Sequence, residues 1–277
     1  MNDSGLHYDA GFASARDRAE IAEWLASIRP LWENRFSEAR AAAAGGQRTL
    51  LRPVYWLGAW QFACLDYYRP PRGLRDRCMA AEPYPPLLAA LIAEIERRAR
   101  RLYRGADLPQ GWRLNTCLVN LYGSRIENGA RVDCARLGEH RDFEPGPVAS
   151  LSLGERALFQ FVTRGGKHEP ARVIAQEWLA DGSLQLFGGD AWKKRALHRV
   201  LRVEKKGAFR FDVRVADFET RRVNFTFRYV PPEHIVPFAG LGESARREVR
   251  GYVGELARAS EFFARALAAE HRPGQFA

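Results

Sequence analysis

Within GEHRDFEPG, Gly138 to Gly146, a histidine, an aspartate and a glutamate recur at every second position: His140, Asp142 and Glu144. Residues two apart on a strand point to the same side, so the three share a face if the strand runs that far. An imidazole and a carboxylate so spaced can hold one face of a metal ion but need a further ligand. His198, in KKRALHRV, is the candidate. Two imidazoles and one carboxylate with positions left open suit Fe(II) and oxygen chemistry. An isolated His-x-Asp is more often a surface histidine in a polar turn, so its weight depends on what accompanies it.

A second motif accompanies it. RVNFTFR, Arg222 to Arg228, alternates with period two. Arg222, Asn224, Thr226 and Arg228 lie on one side, and Val223, Phe225 and Phe227 on the other. This pattern suits a barrel whose interior holds a small dianion, because about 20 Å of strand lets two long arginines converge from both ends. The guanidinium fork grips carboxylates bidentately. In CLVNLY, Leu118, Asn120 and Tyr122 again share a face, and the amide and phenol could donate to the same ligand.

The elements that must position these residues follow from periodicity. Ile21, Trp24, Leu25, Ile28, Leu31, Trp32 and Phe36 predict a first helix or helix pair, kinked or broken at Pro30 and ending before Gly45. Leu88, Leu91, Ile92, Ile95, Ala99 and Leu102 predict a second helix opened by Pro85 and Pro86. From Trp112 to Val230 the pattern becomes short strands, including VASLSLG, ALFQFV, SLQLFGG and FRFDVRV, which predicts a sandwich or barrel. Val249, Tyr252, Val253, Leu256, Phe263 and Leu267 predict a final helix. The expected class is mainly β with flanking helices, as one globular unit. A helical and lid-forming extension spans 1–110, the β-core 111–232 and a helical tail 233–277.

The 277 residues are 46% hydrophobic with seven Trp, which argues against global disorder. A net charge of +10 favours a polyanionic partner such as nucleic acid, although solubility alone can account for it. Cys64, Cys78, Cys117 and Cys134 match no zinc spacing and are expected as free thiols. The polar N-terminus and the absence of a long apolar run lead us to expect a soluble cytoplasmic protein without membrane association. No obligate protein partner is evident.

From Asn115 to Val230 the motifs run in the order N-x-Y, H-x-D, SLSLGERALFQF, a distal His and R-x-N-x-T-x-R. In this the chain resembles the AlkB family of Fe(II)- and 2-oxoglutarate-dependent dioxygenases. The resemblance implies a double-stranded β-helix, or jelly-roll, core. It implies His140, Asp142 and His198 as iron ligands, with O₂ as the oxidant. It also implies Arg222 and Arg228 as 2-oxoglutarate arginines, with Asn120, Tyr122 and Asn224 supporting the co-substrate and Leu118 lining its pocket. Spacing does not say which arginine holds the distal carboxylate; Arg222 is favoured. Glu144 falls where the family has an acidic base-recognition residue, and Phe187 where it has a ring near the active site. Tyr67 and Tyr68 fall, in a looser match, at its nucleotide-recognition lid.

The implied activity is oxidative demethylation of bases such as 1-methyladenine or 3-methylcytosine in DNA or RNA, releasing formaldehyde, succinate and CO₂. A carboxylate at Glu144 would favour these cationic bases. Trp56 and Trp60 could stack on a flipped base but suit core packing better. The run from Lys193 to Lys206, with Arg69, Arg72, Arg75 and Arg77, could track a phosphate backbone. The segments 123–139 and 203–220 are longer than the family's compact form, which bears on substrate identity. Alternatives are the same chemistry on a protein or small molecule, and a binding module without turnover.

Overall fold

The structure is a computed structural model that describes residues 5–36, 47–61, 78–165, 170–201 and 209–270. Eleven strands form two antiparallel sheets. They are β1 (Leu6–Asp9), β2 (Val54–Leu57), β3 (Thr116–Glu127), β4 (Ala130–Asp133), β5 (Leu137–His140) and β6 (Val148–Gly154). β7 (Ala157–Val162), β8 (Val173–Leu179), β9 (Ser183–Phe187), β10 (Leu197–Leu201) and β11 (Phe218–Arg228) follow. The larger sheet has the order β1-β9-β6-β11-β3-β2, with β4 paired to β3; the smaller has the order β8-β7-β10-β5. The chain passes repeatedly from one sheet to the other, as the expected jelly-roll requires. Both β1 and β2 come from the N-terminal 110 residues, so that segment builds part of the larger sheet.

The alternation in β11 explains how this sheet is held. Val223, Phe225 and Phe227 are completely buried. They belong to a core that also contains Ile21 and Leu25 of α1 (Ala15–Ser27) and Leu88, Ile92 and Ile95 of α2 (Pro86–Leu102). Each phenylalanine contributes about 1.5–3 kcal/mol through its removal from water. The helices clamp the sheet from behind, leaving the arginine-bearing side turned toward the smaller sheet. At the crossing from β6 to β7, Gly154 has φ +85°, and a Cβ there would lie 2.4 Å from the Arg221 carbonyl oxygen. Only glycine fits this turn.

Several expected elements differ. α1 ends at Ser27, and Leu31 instead forms a bridge to Val54, with Asn34–Phe36 a short strand. Ile28 is already extended, and the residue before Pro30 is disfavoured in a helix. FRFDVRV is not a strand: Phe211 makes an isolated bridge to Thr220. The tail carries two helices rather than one, α3 (Glu243–Leu256) and α4 (Glu261–Ala269). Ser260 caps the second by accepting from the Phe263 amide. The 123–139 segment extends β3 into a hairpin with β4, turning at Asn128 (φ 51°) and Gly129 (φ 75°). Two positive φ values suit a two-residue hairpin turn. Among the described residues, no helix is long and apolar enough to cross a membrane.

Candidate active site

The site lies between the sheets. His140, at the end of β5, sits directly opposite His198 on β10, and their ring centroids are 4.1 Å apart. β5 stops at His140, so Asp142 and Glu144 lie beyond it, yet both remain buried while Arg141 and Phe143 between them are only partly so. The ligand atoms of His140, Asp142 and His198 all fall within 4.8 Å of one another. The cross-strand pair brings two imidazoles together, and the chain leaving β5 swings a carboxylate beneath them.

The donor set is arranged for a metal. His140 Nδ1 lies 2.8 Å from the Gly138 carbonyl oxygen, which can only accept; Nδ1 therefore carries the proton and Nε2 keeps a lone pair. Arg228 Nε donates to Asp142 Oδ1 at 2.7 Å, and its Nη2 lies 2.7 Å from the same oxygen. Oδ2 has no hydrogen bond and lies 3.4 Å from His198 Nε2. Burial works against ionisation of Asp142, but Arg228, then His198 and Lys193, outweigh it and hold the carboxyl well below its usual range. Burial lowers the pKa of His140, partly offset by Asp142. Burial and the neighbouring His140 lower that of His198 further. Two neutral imidazoles and one ionised carboxylate are the protonation states a divalent metal requires.

Deeper in the same cavity, register lines up the polar rows. Tyr122 lies opposite Arg222, Asn120 opposite Asn224, and Leu118 opposite Thr226. On the other side of β11, Arg222 faces Gly154, Asn224 faces Ser152 and Thr226 faces Ser150. Arg222 donates from Nη2 to Ser152 Oγ at 3.0 Å, while its Nε and Nη1 are buried without a partner among the described residues. Burial lowers its pKa, opposed by Tyr122. A buried guanidinium with two idle donors calls for an anion. Asn224 donates from Nδ2 to Ser150 Oγ (2.8 Å) and the Leu151 carbonyl oxygen (3.1 Å), so it also ties β11 to β6.

Phe187 lies 5.3 Å from the His198 ring and lines the same cavity. Glu144 opens onto an adjoining outer pocket with Arg141, Phe143, Lys193 and Lys194. Trp56 and Trp60 are core residues, as expected. Tyr67, Tyr68, the arginines from Arg69 to Arg77, Arg202, Lys205 and Lys206 lie outside the described residues. Sequence reasoning missed Arg52. It is buried, donates from Nε to Asn120 Oδ1 at 2.9 Å, and its Cζ sits 4.9 Å from the Tyr122 ring centroid. It also missed Ser150 and Ser152, whose period-two spacing in SLSLG was a usable signal.

The fold is shared with "The structure of OsALKBH1": TM-score 0.51 and 21% identity, covering 83% of this chain and 100% of that one. Two others are less similar. YcfD, a ribosomal oxygenase from Escherichia coli, has TM-score 0.28 and 13% identity, covering 64% of this chain and 46% of that one. A bsmA homologue from Methylobium petroleophilum has TM-score 0.36 and 12% identity, covering 84% and 90%. No curated protein matches the chain. A family model described as the 2OG-Fe(II) oxygenase superfamily matches residues 5–228, most of the chain and every motif above. The chain therefore belongs to the 2OG-Fe(II) oxygenase superfamily, as a dioxygenase using Fe(II), 2-oxoglutarate and O₂.

Proposed function

We propose that the enzyme removes N-methyl groups from nucleobases in DNA or RNA. The observation that carries this reading is the outer pocket. It begins at the buried ligand Asp142, is walled by Phe143 and Glu144, and is rimmed by Arg141 and Lys194. An inserted base would have a ring to lie against, buried polar groups to read its edge, and at the rim the half-buried Arg141 and the exposed Lys194, the latter paired with Asp190, near the flanking phosphates. The net charge of +10 is consistent with a polyanionic substrate. The three described cysteines are free thiols, which fits our proposal of a cytoplasmic setting.

His140, Asp142 and His198 would hold the iron. Arg222 would bind one carboxylate of 2-oxoglutarate, assisted by the Tyr122 phenol. The Asn120 side-chain oxygen Oδ1 accepts from Arg52 Nε, which would leave its amide N–H groups to donate to the co-substrate. Iron held by the three ligands would supply the reaction with O₂, one oxygen atom going to succinate as 2-oxoglutarate loses CO₂ and the other to the substrate methyl group as a hydroxyl. The protein orients that methyl and keeps water out, with Phe159, Phe187, Leu179 and Val200 forming the apolar lining. The hydroxymethylated amine then releases formaldehyde without further help.

The test is a single-stranded oligonucleotide carrying one 1-methyladenine or 3-methylcytosine, incubated with Fe(II) and 2-oxoglutarate and read by mass spectrometry. We expect loss of the methyl group with wild type and none with His140→Ala. Succinate formation without demethylation of these bases or of a neutral N-methylated base such as 3-methyluracil would move the search to proteins and small molecules.

A further inference from the structure

The strand β9 and the ligand-bearing β10 are joined by a single π-helical turn, Ala191–Arg195. Such turns interrupt the usual repeat and re-aim one side chain, often at functional sites. Here they separate three consecutive cations. Lys194 and Arg195 are exposed, and Lys194 pairs with Asp190 at 2.7 Å. Lys193 turns inward: its Nζ is buried with no hydrogen-bond partner among the described residues, and it lines the outer pocket beside Asp142 and Glu144. The wall that carries it is fixed in place, because Arg141 donates to the Lys194 carbonyl oxygen.

A buried amine with idle donors is costly unless something arrives to accept them. Its carboxylate neighbours are balanced in charge, although Asp142 Oδ2 and Glu144 Oε2 make no hydrogen bond among the described residues. Arg228 is committed to Asp142 and also lies 3.6 Å from Glu144 Oε2. The two carboxylates, Asp142 and Glu144, thus face two cations, Arg228 and Lys193, and Asp142 is further committed as a ligand. Glu144 Oε2 makes no hydrogen bond among the described residues, but its charge already faces those of Arg228 and Lys193. A methylated base bearing a positive charge would be driven, desolvated, against Lys193. A neutral base with carbonyls on both sides of its N-methyl group would give Lys193 an acceptor at the position where 3-methylcytosine, whose other flanking group is also a carbonyl, carries an amino group.

We propose that Lys193 is a substrate-recognition residue that donates to the carbonyl oxygen standing where a cationic lesion such as 3-methylcytosine has its amino group, selecting neutral lesions over cationic ones. This rests on the nucleobase reading above. It also reverses the preference expected from Glu144 alone.

The pair that tests it is 3-methyluracil against 3-methylcytosine in the same single strand. They differ at one exocyclic position, a carbonyl oxygen in the first and an amino group on a cationic ring in the second. kcat and KM are measured separately for wild type, Lys193→Met and Lys193→Gln. We expect wild type to favour 3-methyluracil. Lys193→Met should lower kcat/KM for that base by roughly ten- to a hundredfold and spare or improve 3-methylcytosine. Lys193→Gln, which keeps an N–H donor, should retain part of the preference. A wild-type preference for 3-methylcytosine overturns the proposal, as does an equal loss on both bases in Lys193→Met, which marks a structural lysine. If wild type makes succinate but demethylates neither base, the nucleobase reading itself falls, and the Lys193 proposal with it.

Discussion

Arg228 and Asp142 form the hinge between the two halves of the site. The guanidinium takes Oδ1 at 2.7 Å and leaves Oδ2 bare, 3.4 Å from His198 Nε2. One residue of the heptad thereby decides which oxygen of the H-x-D carboxylate is left to hold a metal. Both partners are buried, so neither is stabilised by water when the other is removed.

Arg228→Gln should therefore destabilise the metal-free protein by about 3–5 kcal/mol, the cost of an uncompensated buried charge. A divalent metal at the His-Asp-His site would restore compensation. The loss should shrink when Mn(II) is present, and thermal melting of wild type and variant with and without the metal measures the difference. An identical loss under both conditions would mean that Arg228 does not act through Asp142.

Arg222 has the opposite signature. Its Nε and Nη1 are idle and its charge is buried. Arg222→Met should change metal-free stability by less than the Arg228 substitution, because it removes an uncompensated cation along with the bond to Ser152. Its cost should be borne by the co-substrate: KM for 2-oxoglutarate up by about a hundredfold, corresponding to a charge-assisted bidentate contact, with metal affinity retained. Isothermal titration with 2-oxoglutarate on the Mn(II)-loaded variant separates the two effects.

How much of this could be read from the sequence depended on the range of each interaction. Period-two patterns are local, so the Arg222–Arg228 alternation, the Leu118–Asn120–Tyr122 row and the strands VASLSLG and ALFQFV were all legible. The His-Asp-His set was legible because its residue types carry the chemistry whatever the geometry. The strand ending at His140 was not, since Arg228, 86 residues away, aligns Asp142. Helical spacing across Ile21–Phe36 misled because tertiary pairing of Leu31 with Val54 overrode it. The π-turn that separates Lys193 from Lys194 had no sequence signature at all.

Acid should weaken the metal-free protein through its imidazoles. Burial holds His140 and His198 below the ordinary 6.5, so the unfolded chain binds more protons as pH falls through that value. Stability is then present above about pH 6.5 and drains away below it, continuing toward the depressed folded values. Asp142, also depressed, adds a further loss of the same sign only below its ordinary 3.8. Urea midpoints at pH 7.5, 6.5 and 5.5 should fall in that order for wild type, and the slope should diminish in His198→Gln. A flat profile would show that the imidazoles are not buried neutral.

Arg52 adds a third guanidinium to a cavity where sequence motifs supplied two. It sits 68 residues before its partner Asn120, and its placement depends on the pairing of β2 with β3, Val54 opposite Asn120. Arg52 and Arg222 both lie against the Tyr122 ring, at 4.9 and 4.7 Å from its centroid. The ring face partly offsets two like charges held close together, and Arg52 in turn contributes to lowering the Arg222 pKa. A doubly charged ligand relieves that repulsion more fully. Arg52→Met should therefore raise KM for 2-oxoglutarate, by about tenfold at the value of one charged hydrogen bond, and less than Arg222→Met does, since Arg52 already spends Nε on Asn120. It should also reduce the thermal stabilisation that 2-oxoglutarate confers on the Mn(II)-loaded protein. If KM and that stabilisation are both unchanged, Arg52 serves only to orient the Asn120 amide, and the co-substrate is held by Arg222 without its help.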